Sequence, residues 1–392
     1  MKQLLGMTLD ELAAELAERG QPRFRARQLF EWVYQRLETD FAGMTNLPAR
    51  LRRELAERYD PLVVHPVHAV STDRGTTEKV LLELAPPALG LLESPLAERR
   101  RLYNTVEAVL MEYPSASLRA GPSASLSDGP SAPLRASPGA RTRRTVCVSS
   151  QAGCAMACQF CATGQSGFVR DLTAGEIVGQ VLHFARRVRE LDGPEARLTN
   201  LVFMGQGEPF ANFENVWRSV ELLQAPEAFG LGARHITLST VGVVPRIREL
   251  ARKPLQVNLA VSLHAPDDAL RDRLVPLNRR YPLDEVLDAC REYVALTHRR
   301  VSFEYACIRD VNDSVDQAAA LAEKVRGILC HVNLIPLNAG LDTRFQTPPP
   351  GRVEAMAEAL NAHGVPTTIR DTRGREIDAA CGQLRARLLQ TA

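Results

Sequence analysis

Two different periods of apolar residues divide the chain. Up to about residue 85 apolar positions recur three and four residues apart, a spacing that predicts helices. From about residue 145 short apolar runs alternate with helical stretches, and such alternation predicts parallel βαβ units. The predicted strands are "TVCVSS", "NLVFM", "HITLST", "VNLAVSL", "VSFEYA", "HVNLIP" and "PTTIR". We therefore expect a small helical domain and then an α/β fold of about six repeats that forms an open or partial barrel.

Two helix starts have the spacing of a capping box. "TLDE" runs from Thr8 to Glu11 and "TAGE" from Thr173 to Glu176. In each segment the threonine side chain can accept a hydrogen bond from the glutamate backbone N–H, and the glutamate side chain can accept one from the threonine backbone N–H. An apolar stripe at helical spacing follows the second box, formed by Ile177, Val181, Phe184 and Val188. Helices are therefore predicted to begin just after Thr8 and Thr173.

Residues 114–137 contain three near-copies of one octet, "PSASLRAG", "PSASLSDG" and "PSAPLRAS". Proline, serine, alanine and glycine dominate, and no aromatic or β-branched residue is available to build a core. The repeat is also too short and too polar for a solenoid unit. We expect a disordered loop without a catalytic role.

The small net charge limits how the chain can bind charged molecules. Its 392 residues are 45% hydrophobic and carry 48 basic against 46 acidic residues, a net charge of +2. A nucleic acid would therefore have to be bound by local patches. Two basic clusters are available, either as solvated helix faces or as phosphate contacts: Arg23, Arg25 and Arg27, and Arg50, Arg52 and Arg53. The chain contains no apolar run of membrane-spanning length and begins with an acidic helical stretch, so a cytoplasmic protein is predicted.

Three of the eight cysteines lie together in "GCAMACQFCATG", as Cys154, Cys158 and Cys161. They follow the first strand of the series, where α/β folds gather their chemistry. A structural zinc ion usually takes four ligands, and Cys147, seven residues before Cys154, could supply the fourth, although the spacing matches no usual zinc knuckle. A cubane iron–sulfur cluster held by three thiolates would instead keep one iron open for a ligand.

The remaining thiols have simpler explanations. Cys290 lies on the apolar stripe of a predicted helix, and Cys307 and Cys330 border predicted strands. We expect these three to be buried and inert. A structural disulfide framework is not expected in a cytosolic chain of this length.

The spacing C-x-x-x-C-x-x-C, with Phe160 before the last cysteine, resembles the radical S-adenosylmethionine (SAM) superfamily. The resemblance implies a [4Fe–4S] cluster on Cys154, Cys158 and Cys161, whose open iron chelates SAM. "FMGQGEPFAN" resembles the superfamily's G-x-G-E-P segment, in which Gly207 and Glu208 would bind the methionine amino group.

Further segments are similar to one family of this superfamily, the dual-specificity RNA methyltransferases that modify carbon-2 of adenine in 23S ribosomal RNA and in transfer RNA. They are "LSTVGVVPRI", "VSLHAPDD", "IPLNAG", "PRFRARQLFEWVYQR" and "RGREIDAACGQL". The additional cofactor contacts that this resemblance implies are Ser239, Ser262, Leu263, His264 and Asn338. One position departs from the pattern, because Gln206 stands where the family usually has methionine.

The same resemblance implies a covalent mechanism. Cys381 would take a methyl group from one SAM molecule, and a second SAM, cleaved at the cluster, would turn that methyl into a radical that adds to the base. Glu107 would be the general base that removes the ring proton. Cys147 would release the product by closing a transient disulfide with Cys381. A flavodoxin-like protein is the expected electron donor.

The resemblance also suggests how the chain is divided. The expected segments are a helical RNA-binding accessory domain at 1–85, a β connector carrying the general base at 86–113, the octet loop at 114–143, a partial (β/α)6 barrel at 144–376 and a tail with the methyl-carrying cysteine at 377–392. Two rival functions stay open, a carbon-8 adenine methyltransferase of ribosomal RNA and a zinc-stabilised RNA-binding protein without catalysis.

Overall fold

The computed structural model describes residues 2–84, 104–113, 142–338 and 344–370. Most of these residues belong to one ten-stranded sheet with its covering helices, and the rest form a helical unit at the N-terminal end. The octet repeats and the tail with Cys381 lie outside the described residues.

The N-terminal unit is helical, as predicted. Its helices are α1 (Leu9–Ala17), α2 (Arg23–Phe30) and α3 (Ala49–Arg58), and two short parallel strands, β1 (Lys2–Gln3) and β2 (Tyr59–Asp60), join its ends. Thr8 accepts a hydrogen bond from the Glu11 backbone while the Glu11 side chain accepts one from the Thr8 backbone. The first capping box is therefore confirmed.

Three antiparallel strands follow: β3 (Val64–Thr72), β4 (Thr77–Leu84) and β5 (Thr105–Tyr113). The prediction of helix up to residue 85 is therefore wrong for residues 64–84. Val80 and Leu84 are four residues apart and fit a helical period, but Val80, Leu82 and Leu84 also fit the period of a strand. A short apolar run satisfies both periods, and pairing with β5 decides between them.

The second half of the chain alternates strands and helices. Strand β6 (Arg143–Cys147) runs antiparallel to β5 and parallel to its other neighbour in the sheet, β9 (Asn200–Phe203). A small antiparallel pair, β7 (Gln151–Gly153) and β8 (Phe168–Asp171), comes next, with the one-turn helix α4 (Ala162–Gln165) between its strands. The cysteine loop connects β7 to α4.

Each predicted strand of this half is a strand of the large sheet. After β6 these are β9 (Asn200–Phe203), β10 (Ile236–Thr240), β11 (Asn258–Ser262), β12 (Val301–Cys307), β13 (Cys330–Pro336) and β14 (Thr367–Ile369). They lie side by side in chain order and are all parallel. Within the described ranges the parallel part thus has the seven predicted strands, joined by six connections.

Helices connect these strands. They are α5 (Ala174–Asp192), α6 (Phe213–Gln224), α7 (Val244–Ala251), α8 (Asp268–Leu274), α9 (Leu283–Thr297), α10 (Val315–Val325) and α11 (Pro350–Ala362). Helix α5 begins with the predicted Thr173–Glu176 capping box, and its stripe from Ile177 to Val188 is fully buried. Each such side chain contributes roughly 1.5–3 kcal/mol by burial. The expected α/β class with an N-terminal helical unit is therefore confirmed.

In the described part of the chain, no helix combines the length and apolar character needed to cross a bilayer.

Candidate active site

The three clustered cysteines line one cavity beyond the carboxyl ends of the parallel strands. Gly153, at the start of their loop, has φ +78°, and a Cβ there would lie 2.0 Å from the carbonyl oxygen of Gly167. The backbone N–H of Cys154 donates to that same oxygen at 2.9 Å. Only glycine therefore allows the β7 and β8 ends to approach closely enough to turn Cys154 into the cavity.

The burial and charge of the thiols favour a bound metal centre that compensates negative charge. Burial raises the pKa of the Cys154 thiol to about 12 and that of Cys158 well above its usual range, and the negative charges of Glu208 and Cys161 add to both shifts. Thiolates here need a compensating positive charge, which iron supplies. Among the described residues, no three His, Cys, Asp or Glu side chains are grouped as the ligands of a metal ion would be. In a cubane cluster, by contrast, each iron takes only one thiolate.

The loop after β9 presents Glu208 to this cavity. Gly207 has φ +98° and packs against Gln151, whose side-chain oxygen accepts a hydrogen bond from the Glu208 backbone at 2.8 Å. The Glu208 carboxylate accepts from the backbones of Phe210 at 3.0 Å and Val241 at 2.9 Å. Burial nevertheless raises the pKa of Glu208 to about 7. A cationic amino group would offset that unfavourable burial.

Four of the other predicted cofactor residues line the same cavity: Ser239, Ser262, His264 and Asn338. Asn338 is buried, and its Nδ2 finds no acceptor in the described ranges. A buried amide that donates to no protein atom is available for a ligand. Leu263 differs, because its fully buried side chain packs in the core and its backbone N–H donates to the carbonyl oxygen of Glu304 at 3.0 Å.

His264 is held in an unusual backbone conformation with φ +64°. Its Nδ1 accepts a hydrogen bond from the Ala306 N–H at 3.0 Å, and its ring meets Phe160 edge to face with 4.7 Å between centroids. Burial, with a smaller effect of the Arg271 charge, lowers the pKa of His264 to about 3. The ring is therefore neutral near pH 7, with its proton on Nε2.

Glu107 and Cys147 share one face of the sheet. Val109 of β5 pairs directly with Cys147 of β6, and Glu107 lies two residues from Val109. Cys147 and Val109 pack with Met204, which also lines the cavity. Glu107 and Cys147 therefore lie on neighbouring strands, although the octet repeats separate them in the chain. Lys79 Nζ lies 3.2 Å from the buried Glu107 carboxylate.

Gln206, the departure from the family pattern, is buried, and no described residue bonds its side-chain amide. Its backbone oxygen accepts hydrogen bonds from Ser150 at 2.8 Å and Gln151 at 3.2 Å. The backbone of this loop is therefore held firmly even though the side chain is unusual.

The sequence did not single out Arg271 of α8, whose buried guanidinium organises the site. Its Nη2 donates to Val241 O at 2.5 Å and Ser262 O at 3.2 Å, its Nε to Leu263 O at 3.1 Å and its Nη1 to Asn278 Oδ1 at 2.7 Å. Burial lowers the pKa of Arg271 to about 10, so it stays charged near pH 7. The strand ends around the cavity are thus tied to one cation. "LRDRL" gave no signal for this role.

Lys79, Glu304 and Arg370 were also missed. The alternation of buried and exposed residues along β4 and β12 could have assigned Lys79 and Glu304 to one face of the sheet. It could not have identified their partners, because these lie on other strands. Cys290, Cys307 and Cys330 are buried, as expected.

Matches to known proteins agree with this geometry. Residues 2–60 match the ribosomal RNA large subunit methyltransferase N-terminal domain, and residues 148–322 match the radical SAM superfamily. The crystal structure of a radical SAM methyltransferase from Sphaerobacter thermophilus is 47% identical and superimposes with a TM-score of 0.85, covering 98% of this chain and 100% of that one. Fold and site therefore define a radical SAM methyltransferase, which uses SAM and an iron–sulfur cluster.

Two curated relatives are proteins named probable dual-specificity RNA methyltransferase RlmN. The Cutibacterium acnes protein is 43% identical over 97% of this chain and 87% of its own length. The Salinispora tropica protein is 45% identical over 95% of this chain and 89% of its own length. The chain belongs to the RlmN family of radical SAM RNA methyltransferases, and RNA is its substrate.

Proposed function

We propose that this enzyme methylates carbon-2 of adenine in 23S ribosomal RNA and in transfer RNA. One observation carries the proposal: the cavity lined by the three cysteines and Glu208 adjoins, through Met204, the sheet face that bears Cys147 and Glu107. In the proposed reaction this arrangement would bring the radical source close to Cys147 and Glu107. The match of residues 2–60 to a ribosomal RNA methyltransferase domain and the dual-specificity relatives support the two substrates.

The proposed cofactors are a [4Fe–4S] cluster held by Cys154, Cys158 and Cys161, and two SAM molecules per turnover. When bound, they supply the methyl group, the electron and the 5'-deoxyadenosyl radical. The residues that would hold SAM are Gly207, Glu208, Ser239, Ser262, Leu263, His264 and Asn338. Leu263 could contribute only through its backbone, since its side chain lies in the core.

The covalent steps fall to three side chains. Carbon-2 of adenine lies between two ring nitrogens and is too electron-poor to attack a sulfonium methyl, so Cys381 carries the carbon to it. Glu107 accepts the ring proton from the adduct. The Cys147 thiolate then attacks the Cys381 sulfur, so a disulfide forms as the bond from that sulfur to the methylene carbon breaks, and the released electron pair lets the methylene take up a proton and become the methyl group of the product.

Lys79 has a supporting role in this scheme. Its ammonium lies 3.2 Å from Glu107, whose side chain is only 2% exposed. A buried carboxylate without a cation would favour its protonated form, which cannot act as a base. Lys79 therefore keeps Glu107 ready to accept a proton.

Partners of the proposed reaction are the two RNAs and a flavodoxin-like electron donor. Of the two basic clusters, Arg23 is ion-paired with Asp10 and Arg50 with Glu54 on the surface. Exposed pairs of this kind are weak, so these arginines could exchange their partners for phosphates at little cost.

An anaerobic assay tests the function. We expect brown protein with about four irons per chain, a change in the reduced cluster's electron paramagnetic resonance signal on adding SAM, and 2-methyladenine in digested RNA. A methyl on carbon-8 would favour the rival methyltransferase. A colourless, zinc-loaded preparation would refute the proposal.

Two cysteine variants test the covalent steps. Cys381→Ala should abolish methylation and keep the iron content, because this thiol is not a cluster ligand. Cys147→Ala should accumulate RNA crosslinked to protein, seen as a shifted band in a denaturing gel, because nothing breaks the carbon–sulfur bond.

Cys330→Ala removes a thiol far from the reaction and serves as the control, with methylation retained. Normal turnover by Cys147→Ala would contradict the resolving role.

A further inference from the structure

One carboxylate oxygen of Glu304, on the cavity wall, has no role in the reaction proposed above. Glu304 of β12 is 4% exposed and lines the cavity. It stands in a row of polar residues across four parallel strands, because Ser262 pairs with Glu304, Glu304 with Asn333 and Asn333 with Thr368. The row includes Ser262, a predicted cofactor residue at the end of β11.

The row holds one oxygen of Glu304 rigidly. Asn333 donates from Nδ2 to Glu304 Oε1 at 2.8 Å, and Thr368 donates from its hydroxyl to Asn333 Oδ1 at 2.7 Å. The Asn333 amide is therefore fixed with its donor toward Glu304. The other carboxylate oxygen, Oε2, is consequently fixed as well.

Oε2 has no hydrogen-bond donor within the described ranges, although it is buried. Nη1 of Arg370 lies 4.0 Å from this oxygen and forms an ion pair with it beyond hydrogen-bond length. Arg370 Nη1 also contacts the sulfur of Met204 at 3.7 Å. A buried acceptor in this state costs free energy unless a ligand or water satisfies it.

Arg370 also limits what the ligand group can be. A second cation at Oε2 would be repelled by a guanidinium about 4 Å from the same oxygen. A neutral N–H or O–H donor meets no such repulsion. The methionine ammonium of SAM therefore suits Glu208, and a different, neutral donor suits Glu304.

We propose that Oε2 of Glu304 accepts a hydrogen bond from an adenosine group bound in the cavity, through a ribose hydroxyl or the adenine amino group. The proposal rests on the proposed function, in which SAM and the target nucleotide both bring adenosine to this cavity. It makes Glu304 a binding residue in addition to those predicted from the sequence.

The orientation of Asn333 makes Glu304→Gln a sharp test. Asn333 donates to position 304, so the glutamine oxygen must face Asn333 and its NH2 must replace Oε2. A donor would then face the donor of the ligand. We expect roughly 10- to 100-fold weaker binding of the adenosine group, whereas Glu358→Gln, the same change on the exposed face of α11, should bind as wild type does.

Two measurements on the reconstituted holoenzyme separate the two sources of adenosine. One is the Kd of SAM without reductant. The other is the Kd of an RNA fragment with the target adenosine compared with the same fragment carrying purine riboside, which lacks the amino group. Weaker SAM binding by Glu304→Gln assigns the contact to the cofactor, and a lost preference for adenosine assigns it to the RNA.

Other results overturn the inference. Unchanged binding of both ligands excludes the contact. Retained binding by Glu304→Gln with loss in Glu304→Ala would mean that Glu304 donates rather than accepts. Iron content and circular dichroism of both variants check that the fold is intact, and failure of the wild type to bind SAM would refute the proposed function instead.

Discussion

Burial shifts the pKa values of the ionisable side chains around the cavity in opposite directions. It raises the pKa of Glu208 to about 7 and lowers that of His264 to about 3. In both cases the neutral form is favoured because the charged form loses its hydration. A cationic ligand group beside Glu208 would therefore restore the charge of this carboxylate, while His264 would stay neutral.

The pKa of Glu208 predicts how SAM affinity depends on pH. Pairing with an ammonium requires the carboxylate, so below about pH 7 SAM binding by the wild type must release a proton. Affinity should therefore fall as pH decreases, by up to about tenfold per unit, and level off above pH 7. Equilibrium binding between pH 6 and pH 8 measures this slope.

Glu208→Gln is the control for that slope, since an amide does not titrate in this range. It should bind SAM more weakly and show a flat profile. An equal slope in both proteins would assign the titration to another group.

The β7–β8 pair is the element that shapes the cysteine loop. Gly153 and Gly167 both have φ +78°. A Cβ added at Gly153 would lie 2.0 Å from the carbonyl oxygen of Gly167, whereas a Cβ added at Gly167 would meet no atom within 4 Å. The two glycines therefore share one conformational requirement and differ in available space. Comparing alanine variants at the two positions therefore distinguishes the effect of backbone strain from that of steric overlap.

We predict that Gly153→Ala loses the cluster and Gly167→Ala keeps it. Both variants carry a positive-φ cost of about 1–2 kcal/mol, and only the first also forces β7 from β8 and moves Cys154. Iron per chain after anaerobic reconstitution measures the outcome, with thermal unfolding as a check on global stability. Equal iron content in the two variants would argue against steric control of the loop.

The N-terminal unit packs against helices α5 and α6 through a close backbone contact. A Cβ on Gly175 of α5 would lie 2.2 Å from the carbonyl oxygen of Leu5. Arg218 of α6 donates from Nε to the carbonyl oxygen of Gly6 at 2.6 Å and forms an ion pair with Glu11. The two parts therefore share one core, and RNA held by the first would stand in a defined position relative to the cavity.

Gly175→Ala should loosen this docking although alanine favours helices by about 1 kcal/mol. Gly179→Ala, one turn later, meets side chains and no backbone, Val64 at 3.1 Å and Leu5 at 3.8 Å, and is the matched control. We expect faster proteolytic release of the first 60 or so residues and weaker RNA binding for Gly175→Ala alone. Equal protease resistance of the two variants would contradict the role of this contact.

Local pattern was enough to predict much of this protein. All seven strands of the parallel sheet, both capping boxes and the buried stripe of α5 follow from residue spacing, because these elements depend on neighbours within a few positions. The cysteine loop was likewise recognisable, since its three thiols are close in the chain. Residues 64–84 were misread because an apolar run that short fits two periods.

The order and register of strands decided the rest. The sequence alone shows that Glu107, Cys147 and Glu304 are present. Only the tertiary structure shows that Lys79 lies beside Glu107. It also shows that Asn333 holds one carboxylate oxygen of Glu304 while the other oxygen faces the cavity. These partners are 28 or 29 residues apart in the chain and meet on adjacent strands. Local periodicity determines which side of a strand a residue occupies, but only packing of the whole sheet determines what it faces there.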